Sequence, residues 1–258
     1  MSDLRREDGF TLPELLVTLV IAVTVSLATF ALIEFVMKRT GEVDQRVDAS
    51  QRGRLAMDTI TRELRSQVCV DSTTPAMATR AGDITNANTA TFYVDLTDGS
   101  KLATTPPALH SLVYDPATRK ITEKEYKGIW MQQTTGTPPN TVTKTVPAYP
   151  NAPSSSRVIL SDVVPLTAGA AIFRYYKYNS LKPPSPSIEL VPPAGGLSAA
   201  DLATVARVDI AYRTLPSKTK LPVTDPVGLN VRTAIELQDQ VYVRAADPND
   251  PAPTPTCA

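Results

Sequence analysis

The strongest constraint on this chain is a run of 19 uncharged residues from Leu15 to Ile33, LLVTLVIAVTVSLATFALI. As an α-helix, a run of this length crosses a hydrocarbon core of about 30 Å. The hydroxyl groups of Thr18, Thr24, Ser26 and Thr29 can bond to carbonyls one turn earlier, so they do not break such a helix. A buried core helix is the alternative, but the length without a polar face favours a membrane. No other stretch is as apolar, so we predict one span.

The composition of the whole chain excludes several classes of protein. Apolar residues make up 42% and charged residues 20% of the 258 residues, which is typical of a folded domain. The 26 basic and 26 acidic residues leave no net charge to attract nucleic acid. One histidine, His110, and two cysteines are too few for zinc fingers or histidine-clustered metal sites. We therefore expect no metal and no cofactor, and we expect His110 to be an ordinary strand residue.

A short motif directly precedes the apolar run. Gly9 is followed by Phe10-Thr11-Leu12-Pro13-Glu14-Leu15-Leu16. This block resembles the class III signal of type IV prepilins and pseudopilins. The resemblance implies that a prepilin peptidase cuts between Gly9 and Phe10, on the cytoplasmic side, and methylates the new amino terminus at Phe10.

A secretory signal peptide is the alternative interpretation of this N-terminal segment. Ser26-Leu27-Ala28 offers a small-residue cleavage site for a signal peptidase. The apolar residues continue well past Ala28, however, and Glu14 lies at the entrance of the apolar run. Both features favour the prepilin-type signal.

Glu14 is the one acidic residue at the start of the apolar run. An ionised side chain at the centre of a membrane helix costs about 2.5–3.5 kcal/mol, so a carboxylate near the edge of a span usually has a partner or a function. The resemblance implies a role in subunit assembly, in which Glu14 pairs with the N-terminal amine of a neighbouring subunit. Alternatively, Glu14 reaches the lipid headgroups or caps the helix. Pro13 suits a helix start, where its missing amide costs no hydrogen bond.

The resemblance also implies partners and a location. The expected partners are prepilin peptidase, other pilin or pseudopilin subunits through the N-terminal helix, the inner-membrane assembly platform, and the bilayer before assembly. The expected location is a single pass of the cytoplasmic (inner) membrane with an extracytoplasmic head, and later a cell-surface or periplasmic filament. Lys38 and Arg39 follow the span and by charge counting favour a cytoplasmic head, but large domains translocate largely regardless of charge.

An amphipathic helix is predicted to continue beyond the span. Apolar residues recur at helical spacing on this segment, at Val43, Val47, Met57, Ile60, Leu64 and Val68. The segment QRGRLAMDTITRELRSQ resembles the early extracytoplasmic helix of larger minor pilins and J-type pseudopilins. The predicted organisation is a leader at 1–9, the membrane half of the helix at 10–37, its extracytoplasmic half at 38–68, and a β-rich head at 69–258.

The head is predicted to be an antiparallel sheet. Strand patterns separated by turn signals are found at Asn88–Leu96, Leu109–Tyr114, Lys120–Tyr126, Arg157–Val163, Ala171–Tyr178, Ala206–Arg213 and Ala234–Val243. Two segments rich in Pro, Ser, Thr and Gly, Thr134–Ser156 and Lys182–Gly196, are predicted to be loops. The fold class is therefore α+β, pilin-like, with a long N-terminal helix packed on a C-terminal antiparallel β-sheet head.

Two further inferences concern cysteines and catalysis. Cys69 and Cys257 would form a disulfide in an exported head, and two unrelated free thiols are the alternative. The sequence contains no glycine-rich phosphate loop, nucleophile elbow or HExxH motif, so we expect no catalytic residues and no enzyme. The resulting prediction is a minor pilin or J-type minor pseudopilin in a type IV pilus, a type II secretion pseudopilus or a related filament, at initiation or the tip. The alternatives are a single-span anchored extracellular ligand-binding protein and an exported hydrolase.

Overall fold

The computed structural model describes most of the chain. The described residues are 11–70, 74–95, 105–135, 141–178, 186–217, 219–221 and 224–243, without the side chains of 186 and 187. They belong to two compact units, which divide between Gln45 and Arg46.

Helix α1 spans Leu12–Arg65, 54 residues without a break. The carbonyl of Thr11 accepts the amide of Leu15 at 3.2 Å, which starts the helical ladder. Pro13 therefore lies in the first turn, where its missing N–H removes no hydrogen bond. The long N-terminal helix is confirmed, and it ends at Arg65 and not at Val68.

The described residues after α1 form twelve strands and one short helix. In chain order these are β1 (Met77–Ala78), β2 (Thr89–Val94), β3 (Ala108–Asp115), β4 (Lys120–Tyr126), β5 (Ile129–Thr135), β6 (Val142–Ala148), β7 (Ser155–Ser161), β8 (Val163–Val164), β9 (Phe173–Tyr178), β10 (Pro186–Leu190), α2 (Ala199–Leu202), β11 (Arg207–Thr214) and β12 (Ile235–Tyr242).

The strands are arranged in two larger sheets and one ribbon. Sheet I has the order β1-β2-β3-β4-β7, and sheet II has the order β10-β9-β11-β12, with β8 also paired to β11. Strands β5 and β6 form a separate two-stranded ribbon. All of these pairings are antiparallel. The α+β class and the antiparallel head are confirmed, but the described part of the head contains three sheets where one was expected.

Two segments that were predicted to be loops contain strands. Strand β6 lies within Thr134–Ser156, and β10 lies within Lys182–Gly196. Strand β5 was also missed. The side chains of β5 are largely exposed, so the apolar alternation that marks a half-buried strand is absent there. The proline content of both segments pointed to loops, although proline is tolerated on edge strands.

The second half of α1 packs on both sheets. Met57, Ile60 and Leu64 are buried, as their spacing predicted, and they join one core with Phe92 of β2 and Tyr175 of β9. Burial on α1 begins only at Ala49. Val43 and Val47, which the same pattern placed on the packed face, are exposed.

Arg52 attaches α1 to the ends of two strands. Its guanidinium group donates to the carbonyl of Leu215 at 3.0 Å and to that of Ser161 at 3.4 Å. On α1 itself, Asp48 accepts from Arg52 at 3.0 Å. These bonds fix the side chain between the helix and the loops that follow β7 and β11.

Gly53 lets the backbone of α1 approach sheet II. A methyl group at Gly53 would overlap Leu237 of β12 and lie 2.6 Å from Thr214 Oγ1. The Tyr212 hydroxyl donates to the Gly53 carbonyl at 2.9 Å, a bond that needs this close approach. The glycine therefore serves helix–sheet packing.

Gly53→Ala is expected to destabilise the head by up to about 2 kcal/mol, because an overpacking cost of about 1–3 kcal/mol is only partly offset by a gain in helix propensity of about 1 kcal/mol. The measurement is urea unfolding of the full chain in detergent, followed by tyrosine and tryptophan fluorescence. Gly41→Ala is the matched control, since a methyl group there contacts nothing within 4 Å. Equal midpoints for the two variants would contradict this account of Gly53.

Candidate functional site

The first half of α1 is an apolar helix surface without a protein partner in the described chain. An 18-residue window has a mean hydropathy of 2.6 and none of it is buried. Large apolar side chains such as Leu19, Leu27 and Phe30 are more than half exposed. Within the described residues, α1 is the one helix long and apolar enough to cross a membrane.

The hydroxyl groups on this helix bond to its own backbone, as predicted. Thr18 donates to the Leu15 carbonyl at 2.9 Å. Ser26 donates to a carbonyl one turn earlier at 2.7 Å, and Thr29 does so at 2.8 Å. These bonds satisfy the hydroxyl groups internally, so the helix presents an almost wholly apolar face.

Glu14 lies in the first turn of α1, with an exposed side chain. No ion pair to Glu14 is formed among the residues that the structure describes. The next acid along the helix, Glu34, differs because it pairs with Lys38 at 2.8 Å. The helix dipole favours a negative charge at Glu14, but this carboxylate still lacks a cationic partner within the described chain. Gly9 and Phe10, the predicted cleavage and methylation residues, lie outside the described residues.

A second constellation is buried between the end of α1 and sheet I. Glu63 of α1, His110 of β3 and Glu123 of β4 are each no more than 6% exposed. His110 Nδ1 lies 3.3 Å from Glu63 Oε2 and 3.0 Å from Glu123 Oε1. Arg157 of β7 contacts the other oxygen of each carboxylate, Glu63 Oε1 at 3.5 Å and Glu123 Oε2 more closely. We call these four residues the Glu–His–Glu cluster.

In the Glu–His–Glu cluster, the neighbouring opposite charges outweigh the effect of burial on the pKa values of His110 and Glu123. Burial alone would lower the pKa of His110, but the adjacent carboxylates of Glu123 and Glu63 outweigh it and raise that pKa from 6.5 to about 9. Burial likewise opposes ionisation of Glu123, yet His110 and Arg157 keep its pKa below the usual value. The two carboxylates thus face two cationic groups, the buried His110 and the partly exposed Arg157.

We did not predict this cluster from the sequence, and we expected His110 to be an ordinary strand residue. Its members are far apart in the chain. The pairing of β3 with β4 and of β4 with β7 brings them together beside α1. One sequence signal was available. Glu63 lies between Ile60 and Leu64 on the apolar stripe of α1, where a carboxylate requires a buried partner.

The cysteine prediction remains open. Cys69 is disulfide-bonded in the structure. Its predicted partner, Cys257, lies outside the described residues, so the pairing of Cys69 with Cys257 stays a prediction.

Comparison with protein families places a known motif on the N-terminal segment. Residues 4–30 match the prokaryotic N-terminal methylation motif, the type IV prepilin-like signal. This match covers the predicted cleavage site, Glu14 and most of the apolar run. No curated protein and no solved structure gives a significant match.

The motif and the helix together support one class of protein. The type IV prepilin-like signal extends into an exposed apolar helix, and these features support a type IV pilin-like protein that is anchored in a membrane. The motif implies processing by a prepilin peptidase and assembly with other pilins.

We predict that charge inserted into this apolar face disrupts membrane association. The double variant Val20→Arg/Thr24→Arg is expected to lose stable membrane association, because two arginines near the helix centre cost about 5–7 kcal/mol on insertion scales. Resistance of the membrane-bound protein to alkaline extraction measures this. The control is Leu55→Arg, at an exposed position outside the apolar run. Retention of the double variant at the level of the control would contradict a membrane role for this face.

Proposed function

We propose that the chain is a minor pilin or J-type minor pseudopilin, a non-catalytic subunit of a type IV pilus, a type II secretion pseudopilus or a related filament. The observation that carries the proposal is a carboxylate, Glu14, that forms no ion pair within the described residues and lies at the start of an exposed apolar helix, inside a prepilin-type motif. A structural subunit needs a surface for its neighbours, and this helix offers one.

Cleavage after Gly9 supplies the partner that Glu14 lacks. Peptide-bond hydrolysis releases residues 1–9 and creates a free amine on Phe10, which prepilin peptidase then methylates. The methylated amine keeps its positive charge. It can therefore serve as the cationic partner of Glu14 in an adjacent subunit.

The pairing of these charges makes an otherwise nonspecific association of helices selective. Apolar helices leave lipid for one another with little hydrophobic gain, so close packing and polar contacts decide which neighbours are accepted. An amine and a carboxylate about 4 Å apart attract by about 4 kcal/mol at an effective dielectric constant of 20. Only one axial register brings the two groups together, so the pair selects that register.

The described head is compatible with a role in assembly. Its strands share one core with the second half of α1. A head of this size favours a place at initiation or at the tip over the repeating shaft. The expected partners are other pilin or pseudopilin subunits and the inner-membrane assembly platform.

Leader processing is tested by the mass of the N-terminal peptide of the protein purified from membranes. We expect a peptide that begins with N-methylated Phe10. Gly9→Val should block cleavage and leave the leader attached, while the neighbouring Asp8→Asn serves as a control that is still processed. An intact Met1 in the unmodified chain would instead indicate a simple membrane anchor, and an end near Thr29 would indicate a secreted protein.

Filament incorporation is tested by Glu14→Gln, which removes the charge and keeps the size of the side chain. We expect normal cleavage and membrane insertion but at least about tenfold less of this subunit in sheared filaments, since the loss of about 4 kcal/mol of attraction exceeds the 1.4 kcal/mol that corresponds to tenfold. Immunoblotting of filament and membrane fractions measures both pools.

Glu34→Gln is the matched control, because Glu34 lies at the other end of the apolar run and already pairs with Lys38. It should enter filaments at close to the normal level. Equal incorporation of Glu14→Gln and the unmodified chain would remove charge pairing from the proposal.

A further inference from the structure

Three buried donor atoms from separate elements converge in the Glu–His–Glu cluster. Glu63 Oε2, His110 Nδ1 and Glu123 Oε1 come from α1, β3 and β4, and the three groups offer ligand atoms that all lie within 4.8 Å of one another. Their side chains are 5–7% exposed. The donors are thus shielded from bulk water and aimed at a common point.

The hydrogen bonding within this cluster is incomplete. Among the described residues, Glu63 Oε2 and both ring nitrogens of His110 have no hydrogen bond of good geometry. A single proton on Nδ1 points to only one acceptor, whereas two carboxylate oxygens face that nitrogen. Buried polar atoms in folded proteins are rarely left in this state without a ligand, water or ion.

We propose that Glu63, His110 and Glu123 form a zinc-binding site. Zinc takes nitrogen and carboxylate ligands at about 2.0–2.2 Å, so adjacent ligands in a tetrahedral site lie about 3.3–3.5 Å apart. The two distances from His110 Nδ1 to the carboxylate oxygens, 3.3 and 3.0 Å, are close to this distance between adjacent ligands. A Zn²⁺ ion replaces the shared proton and is neutralised by the two carboxylates.

The donor set selects zinc over the commoner hard cations. Calcium takes six to eight oxygen ligands, and magnesium keeps an octahedral shell of oxygens and waters. Here one of three donors is an imidazole nitrogen, and burial leaves little room for a large hydration shell. Three protein ligands leave a fourth position for water, and His110 also lines a cavity of about 290 Å³.

Arg157 supplies the outer contacts that such a site requires. Its guanidinium group contacts Glu63 Oε1 and Glu123 Oε2, the oxygens that do not face His110. Hydrogen bonds of this kind orient ligating carboxylates, and their loss typically weakens metal binding by about 10–100-fold.

Bound zinc would link the last turn of α1 to sheet I. Glu63 belongs to the helix, while His110 and Glu123 are neighbours on two paired strands. The ion would thus join helix and head by coordination bonds, independently of whether the chain enters a filament.

The test uses the full chain in detergent, freed of metal with a chelator and titrated with ZnCl₂ against a chromophoric competitor. We expect one Zn²⁺ per chain, and a cobalt-substituted sample with the intense visible absorption of a tetrahedral site. His110→Gln should abolish this binding. Because His110 is the only histidine in the chain, its imidazole NMR signals must shift when Zn²⁺ is added.

Two further variants keep the test decisive if His110→Gln does not fold. Arg157→Gln, at a side chain that is 59% exposed, should fold and bind zinc about 10–100-fold more weakly. Glu189→Gln, on an exposed position of β10, removes a carboxylate elsewhere and should bind like the unmodified chain. The proposal is overturned if Zn²⁺ leaves the His110 signals unchanged, or if Arg157→Gln and Glu189→Gln bind it equally well.

Discussion

The main constraint on this protein is an apolar helix surface with a single carboxylate at its start. Lipid or other apolar helices must cover this surface. Residues 15–33 carry no charge, and their hydroxyl groups are satisfied by the helix backbone. Such a surface is stable in lipid or against other apolar helices, and both environments penalise an isolated charge. Glu14 therefore limits which environments can take up the helix. A neighbour that brings a cation is favoured over one that does not, and this turns a general affinity for apolar surroundings into a selective contact.

The second half of α1 differs from the first half, because it packs against the head of the same chain. Gly53 lets the helix backbone approach sheet II, Arg52 bonds to the strand ends, and Glu63 enters the Glu–His–Glu cluster beside sheet I. A continuous helix thus carries an outward-facing surface in one segment and a buried interface in the other. The change falls near Ala49, where burial begins.

Local patterns predicted the elements with strong periodicity, and tertiary context decided the others. Local sequence pattern alone predicted the apolar run of α1, the buried positions of Met57, Ile60 and Leu64, and strand β4. Strands β5 and β6 pair with each other and bury little, so no apolar alternation marked them. Exposed Val43 and Val47 show that helical spacing identifies an apolar face without telling what covers it.

The motif around Glu14 could be recognised because it is contiguous, whereas the Glu–His–Glu cluster could not, because strand pairing assembles it from distant residues. The most direct measurement of the central claim treats assembled filaments with a membrane-permeant carbodiimide, which joins a carboxylate to an amine in contact with it. The account predicts a cross-linked peptide in which Glu14 of this chain forms an amide with the N-terminal residue of a neighbouring subunit. Recovery of Glu14 from filaments without any such amide, while other contacting carboxylate–amine pairs are cross-linked, would contradict it.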